Sequence, residues 1–214
     1  MVLPLYLAMT PEEMAQATAL PPHRGWFDPE SAALPHSLSP GTMLILHDRF
    51  PCPAIPELAC ESVLLDFERA PEADSRTVAD ALFQALPCPV AAPPGFIDDF
   101  RSPVFLPSCP LHVPLAEYLR PWQGRDIWLD VTLQQQTITV TRAGTTYAPA
   151  VPADRQGGVF DETLLCRCVT EISEDEVRFT LFDTPETLKI KLEEAARLGV
   201  SRAVGLYQEL GFKL

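Results

Sequence analysis

Acidic side chains follow several short apolar runs of this chain, at the places where strands would end. Asp48 comes directly after Thr42–His47, and Asp66 and Glu68 come at the end of Ser62–Phe67. Crowded carboxylates repel one another, which can raise the pKa of one into the range of a general acid while another stays ionised. The pattern therefore predicts hydrolytic or proton-transfer chemistry.

Three more polar residues stand at predicted strand ends near the C-terminus. Asp183 ends the predicted seventh strand, and Tyr207 and Glu209 close the predicted eighth. In a parallel barrel the C-terminal strand ends form one rim, which is where barrel enzymes carry their active sites. We therefore expect these three residues, together with Asp48, to bind substrate at that rim. The alternative is that such acids cap helices or pair with neighbouring arginines.

The segment ESVLLDFE, Glu61 to Glu68 on the predicted third strand, resembles the D-G-x-D-x-D-x-E signature of family 18 glycoside hydrolases, the chitinase-like barrels. The resemblance implies that Glu68 is the general acid that protonates the glycosidic oxygen. It also implies that Asp66 polarises the acetamido group of the substrate. Positions 66 and 68 share one face of a strand, as this chemistry needs.

The segment also departs from the signature. Glu61, Ser62 and Leu64 stand where the signature has Asp, Gly and Asp. Without the middle Asp, the group that tunes the protonation of its neighbour is missing. A second function therefore stays open, in which the barrel has no catalytic activity and binds a small polar ligand or a partner protein.

The elements that must position these residues are short apolar runs separated by helical patterns. Thr10-Pro11-Glu12-Glu13 and Thr184-Pro185-Glu186 have the residue types of helix N-termini. Eight core strands are predicted: Leu3–Met9, Thr42–His47, Ser62–Phe67, Pro89–Ala92, Val104–Leu106, Ile127–Leu133, Val177–Asp183 and Val200–Tyr207. Alternating strands and helices predict parallel pairing. A short helix is also expected near Ile55–Cys60.

The expected fold is a small or abbreviated (β/α)8 TIM-like barrel with a β-hairpin insertion, in one α/β domain over 1–214. The chain of 214 residues is near the lower limit of roughly 200 for that fold, so several crossovers must be short. Period-two patterns place the hairpins in 128–176, one joining Trp128–Leu133 to Thr137–Arg142 and another joining Leu164–Ile172 to Val177–Phe182. An open doubly wound α/β sheet is the alternative.

The net charge and the motifs of the chain narrow the classes of partner and cofactor that we expect. The net charge of −13 argues against nucleic acid and against anionic membranes, and leaves a carbohydrate or another small polar ligand as the expected partner. No P-loop or G-x-G-x-x-G follows a strand, so we expect no cofactor. Cys166 and Cys168 lack further ligands nearby, so no metal is expected. Their hairpin is a candidate edge for a homodimer, and the expected location is the cytoplasm.

Overall fold

The computed structural model describes residues 3–30, 34–35, 37–47, 60–97 and 102–211. The strands are β1 Leu5–Met9, β2 Arg24–Phe27, β3 Thr42–His47, β4 Ser62–Asp66, β5 Val90–Ala91, β6 Val104–Leu106, β7 Ile127–Asp130, β8 Gln134–Thr141, β9 Gly144–Tyr147, β10 Val151–Pro152, β11 Val159–Asp161, β12 Cys166–Ile172, β13 Glu176–Phe182 and β14 Val200–Leu206. The helices are α1 Pro11–Gln16, α2 Ala73–Ala85, α3 Leu115–Leu119, α4 Pro185–Arg197 and α5 Tyr207–Leu210, with 3₁₀ turns at Pro94–Phe96 and Arg120–Trp122.

Eight parallel strands form a nearly closed barrel, in the order β5-β4-β3-β2-β1-β14-β7-β6. A parallel bridge between Ala92 and Val104 joins the two ends of this sheet. The predicted abbreviated barrel is therefore confirmed. Its helices are few and short, which is how a chain of 214 residues accommodates eight barrel strands.

Strand β2 was missed by the sequence analysis, and it makes the strand of the ESVLLDFE segment the fourth. β2 pairs in parallel with β1 and with β3. Its Gly25 lies so close to β3 that an added Cβ would be 2.5 Å from Ile45 Cδ1. A glycine in a strand weakens the sequence pattern, and close approach of this kind is a common reason for it.

The insertion is a separate antiparallel sheet between β7 and α4, in the order β10-β8-β13-β12-β11 with β9 paired to β8. Its strands lie between Gln134 and Phe182, compared with the predicted 128–176. The hairpin of β12 and β13 is confirmed. The predicted pairing of Trp128–Leu133 with Thr137–Arg142 is wrong, because β7 pairs with β6 and β14 in the barrel.

Two more expectations about this sheet are wrong. Val177–Phe182 is not a barrel strand, since β13 pairs antiparallel with β8 and β12, and β2 supplies the missing barrel strand instead. The Cys166/Cys168 strand is not a free edge, since β12 is paired on both sides. The homodimer itself stays a prediction. Cys166 is buried against Leu111 and Leu181.

The cap chemistry expected at both ends of the chain is present. Thr10 Oγ1 accepts from the Glu13 amide at 3.2 Å, and Glu13 Oε2 accepts from the Thr10 amide at 2.8 Å. Thr184 caps α4 in the same way, with Thr187 as its reciprocal partner.

Most of the predicted helix near Ile55–Cys60 lies outside the described residues. Within the described residues, no helix has the length and apolar character that crossing a membrane requires.

The interior of the barrel is packed with side chains, as is usual for eight-stranded barrels. The inward-facing residues that fill it include Tyr6, Met43, Leu64, Phe105 and Trp128. A larger apolar cluster lies outside the strands, against the helices. The interior therefore contains no open channel and can receive a ligand only at an end.

Arg202 occupies the floor of the barrel, at the N-terminal ends of its strands. Its Nη1 donates to Ser62 Oγ at 2.6 Å, and its guanidinium lies 4.5 Å from the centre of the Trp128 ring. Tyr6 and Glu61 complete the cluster, and burial together with the hydrogen bond to Glu61 raises the pKa of Tyr6 to about 12. The Arg202 guanidinium thus has partners in Ser62, Trp128 and Glu61. Because these contacts engage the polar groups at this end, the C-terminal mouth is the end to consider for function.

Candidate functional site

Two carboxylates face one cavity at the C-terminal mouth of the barrel. Asp66 ends β4 and Asp130 ends β7, and both line one cavity of about 60 Å³. A void of that size holds a few water molecules. The other lining residues are largely apolar: Ala8, Phe27, Ile45, Leu64, Phe105, Val204, Gly205 and Leu206. An apolar pocket with a few convergent polar groups is the usual form of a small-molecule site.

The environment of Asp130 favours the protonated form of its carboxyl group. Burial raises its pKa, and the nearby Glu209 carboxylate raises it further. A hydrogen bond from Ser108 Oγ to Asp130 Oδ2, 2.6 Å long, opposes this rise. Because a raised pKa favours the protonated form of a carboxyl group, this environment directs Asp130 towards acid chemistry.

Sequence analysis did not select Asp130, although a signal was present. The run Ile127-Trp128-Leu129 ends in Asp130 as Val63-Leu64-Leu65 ends in Asp66. The predicted strand continued to Leu133, so Asp130 stood inside it and was not counted among the strand ends of the barrel rim. The side chain that supports Asp130, Ser108, has no distinctive pattern in the sequence.

The two predicted catalytic residues are placed differently. Asp66 is half-buried and lines the cavity, whereas Glu68 is exposed, two positions beyond the end of β4, and is not among the residues that line it. That the two residues act together at the barrel mouth stays a prediction. Whether Glu68 acts as an acid stays a prediction.

Leu64 confirms the alternation expected of ESVLLDFE and shows the consequence of its departure from the signature. It faces the interior of the barrel and is 1% exposed, directly below Asp66 on the same face of β4. An apolar side chain thus occupies the place where the signature has a second carboxylate. Asp66 must be oriented by neighbours on other strands.

His47 is such a neighbour. It stands in register with Asp66 on the adjacent parallel strand β3, so the two side chains leave the sheet on the same face. Adjacent strands lie about 4.8 Å apart, so the backbone positions of His47 and Asp66 are neighbours across the sheet. Asp48, predicted to bind substrate, lies outside the described residues.

Asp183 does not lie at a barrel strand end, because it follows β13 of the second sheet. It is nevertheless near the mouth, in a second pocket that Ser108 and Asp130 also line. Its Oδ1 accepts from Lys191 Nζ at 2.6 Å, and its side chain is 1% exposed. Burial raises the pKa of Asp183 and the Lys191 ammonium opposes the rise. Asp183, which was predicted to bind substrate, is therefore engaged in a buried ion pair with Lys191.

Tyr207 and Glu209 lie in α5, one turn of helix directly after β14, whereas the strand was predicted to include Tyr207. Both are half-buried. Glu209 Oε2 accepts a hydrogen bond from Thr132 Oγ1, which holds it close enough to Asp130 to affect that residue's pKa. The structure therefore places Glu209 beside the cavity and leaves its predicted contact with substrate untested.

The described residues contain no group of three or more His, Cys, Asp or Glu side chains arranged to hold a metal ion. The ionisable groups that line the cavity are the carboxylates of Asp66 and Asp130. His47 is the register partner of Asp66 on β3. This set can bind hydroxyl and amide groups and can exchange protons with them.

No protein-family model matches the chain, and no curated protein does. Solved structures with a similar course of the chain include the spore cortex-lytic enzyme SleL of Bacillus cereus, with a TM-score of 0.48 and 10% identity over 95% of this chain and 70% of that one. SleL of Bacillus megaterium QM B1551 has a TM-score of 0.47 and 11% identity, with the same coverage of 95% and 70%. The C-terminal domain of a putative chitinase from Desulfitobacterium hafniense DCB-2 has a TM-score of 0.49 and 10% identity over 96% and 93% of the two chains. At these values the likeness assigns no residue a role.

Proposed function

We propose that this protein is a glycoside hydrolase-like enzyme that acts on a neutral glycan at the C-terminal mouth of its barrel. The observation that supports this most is the shared cavity of Asp66 and Asp130 at the end of a packed barrel. The net charge of −13 disfavours an anionic substrate, whereas a neutral sugar is not repelled.

In the proposed reaction Glu68 protonates the glycosidic oxygen and Asp66 polarises the acetamido group of an N-acetylated sugar. Glu68 is exposed in the free chain, and a bound sugar would shield it from water. Desolvation favours the neutral form of a carboxyl group, so substrate binding itself would prepare Glu68 as an acid. Asp130, with its raised pKa, would offer a hydrogen bond to the sugar from the opposite side of the mouth.

A panel of aryl glycosides, including N-acetylated ones, tests this proposal. We expect turnover by the wild-type chain and a loss of at least a hundredfold in Glu68→Gln, since removing general acid catalysis typically costs 10²–10⁴-fold. Glu174→Gln is the matched control, because Glu174 is exposed in the turn between β12 and β13, away from the barrel mouth. A folded wild-type chain without turnover across the panel, or unchanged turnover in Glu68→Gln, contradicts the proposal.

Leu64 favours a second candidate function, in which the barrel binds a neutral sugar or similar polar ligand and does not cleave it. A buried leucine in place of the signature's middle Asp removes a group on which the hydrolytic step depends. This function predicts calorimetric binding of an N-acetylated oligosaccharide without turnover. Binding should weaken in Asp66→Asn and be unaffected by Glu174→Gln. If neither binding nor turnover is detected, both candidates are wrong.

A further inference from the structure

Two cysteines at the N-terminal end of the barrel lie in contact. Cys60 Sγ and Cys88 Sγ are 3.6 Å apart, although the residues are 28 positions apart in the chain. Cys60 lies shortly before β4 and Cys88 shortly before β5. The Val63 amide donates to the Pro89 carbonyl at 2.9 Å, which holds the beginnings of the two strands side by side. Both cysteines are half-buried free thiols.

We propose that Cys60 and Cys88 are a reversible redox pair, which becomes an intramolecular disulfide by exchange with a small-molecule disulfide such as oxidised glutathione. A disulfide bond is about 2.05 Å long, so the two sulfurs need to approach by about 1.5 Å. Rotation about the two side-chain torsions supplies movements of that size. The half-buried position leaves the pair accessible to a small oxidant.

The exchange takes place in two steps. The Cys88 thiolate attacks one sulfur of the oxidised glutathione, forms a mixed disulfide and releases one glutathione thiolate. The Cys60 thiolate then attacks the Cys88 sulfur, forms the protein disulfide and releases the second glutathione. Each cysteine loses one proton, and the two electrons pass to glutathione, which is reduced to two thiols.

The Cys60 thiol has little thiolate near neutral pH. Burial and the hydrogen bond with Cys88 raise the pKa of the Cys60 thiol to about 12. The thiolate is the reactive form, so Cys60 reacts only when the mixed disulfide is already within contact distance. Oxidation should therefore be slow near neutral pH and faster as the pH rises.

The disulfide would link the segments that precede β4 and β5, and β5 is the shortest strand of the barrel. β5 has two residues and meets β4 at Val63↔Val90 and Leu64↔Ala91. β5 is also the terminal strand of the sheet, and the single Ala92↔Val104 bridge joins this end to β6. A covalent link between the beginnings of β4 and β5 closes a loop that contains β4 and α2, and it restricts the unfolded chain accordingly.

The test uses the full chain, incubated with oxidised glutathione at pH 8, alkylated and digested. Cleavage after acidic residues, including Glu57, separates Cys52 from Cys60, so mass spectrometry can identify the linked pair. We expect a Cys60–Cys88 link that dithiothreitol removes. For a loop of this length, the thermal midpoint of the oxidised chain should rise by on the order of 10 °C.

Cys60→Ser and Cys88→Ser should each abolish the link and the rise in thermal midpoint. Cys168→Ser is the matched control, since Cys168 is another half-buried free thiol but lies in the second sheet. It should behave as the wild type. The proposal is overturned if Cys60 and Cys88 stay open to alkylation after incubation, if Cys60 links to Cys52 instead, or if the linked chain is no more stable. Mapping of the wild-type chain decides the point even if a variant does not fold.

Discussion

Replacing Lys191 by Met tests whether Asp183 is an internal ion-pair partner or a residue free to bind substrate. The Lys191 Nζ to Asp183 Oδ1 distance is 2.6 Å, with side-chain exposures of 14% and 1%. At an effective dielectric constant of about 20, this distance corresponds to an attraction of about 6 kcal/mol, which offsets the cost of burying both charges. Removing one partner of a buried pair typically costs about 3–5 kcal/mol, because the other charge is left without compensation. We expect that loss in Lys191→Met at pH 7.

The converse variant, Asp183→Asn, should cost less, about 1–2 kcal/mol. Lys191 is the more exposed of the two and has a long flexible stem, so its ammonium can reach water when Asp183 is neutral. The double variant should be more stable than Lys191→Met alone, since it leaves no buried charge. If the uncompensated charge causes the loss of stability, Lys191→Met is the least stable of the three variants. If lost packing causes it, the double variant is the least stable.

The loss in Lys191→Met should also depend on pH. Burial raises the folded-state pKa of Asp183 and Lys191 opposes that rise, so removing Lys191 lets the pKa rise further. Below the unfolded-state pKa of about 3.9 the carboxyl is protonated in both states, and little stability is lost. As the pH rises, the loss relative to the wild type begins at the folded-state pKa of Asp183 in the wild type, and it is complete above the folded-state pKa of Asp183 in the variant.

Urea unfolding followed by circular dichroism at pH 7 and pH 4 measures these differences. A cost below about 1 kcal/mol at pH 7 would fall in the range of exposed ion pairs and would refute the reasoning. So would an equal cost at the two pH values. Either result would mean that Asp183 is not committed to the ion pair and is available to bind a ligand.

Two further predictions concern the barrel itself. Asp130→Asn should stabilise the chain at pH 7, by about 1.4 kcal/mol for each unit by which burial raises the Asp130 pKa, because the variant has no buried carboxylate to ionise and its amide still accepts the Ser108 hydrogen bond. The gain in unfolding free energy should vanish below about pH 4, and an equal gain at both pH values would contradict the assignment. Gly25→Ala should cost about 1–3 kcal/mol in urea unfolding, because the new Cβ would lie 2.5 Å from Ile45 Cδ1. Adding Ile45→Val should recover part of that loss, and no recovery would point to a backbone cause.

Much of the local structure could be predicted because its causes lie within a few residues. Thr10 and Thr184 cap helices through bonds to residues three positions on, so their role follows from the sequence pattern. The predicted bounds of Thr42–His47 and Val104–Leu106 agree with β3 and β6 because buried parallel strands are continuous apolar runs.

The errors came from features that depend on distant partners. β2 contains Gly25 and lies in a segment rich in proline, so only its pairing with strands on both sides identifies it. β7 was predicted to be a core strand and also to form a hairpin with the segment of β8, because the two are close in the chain, but it pairs only with β6 and β14. β13 was counted in the barrel because its length and apolar character suit either sheet.

The sequence by itself determined the position of Asp66 at the end of a buried strand. It also determined that Leu64 lies beneath Asp66, because alternation along one strand is a local property. Only the tertiary structure decided that Asp130 shares the cavity of Asp66, that His47 stands beside it and that Lys191 neutralises Asp183. The physical reason is that these proximities arise from strand order and register, which are set by the packing of the whole barrel and not by the residues on either side of each group.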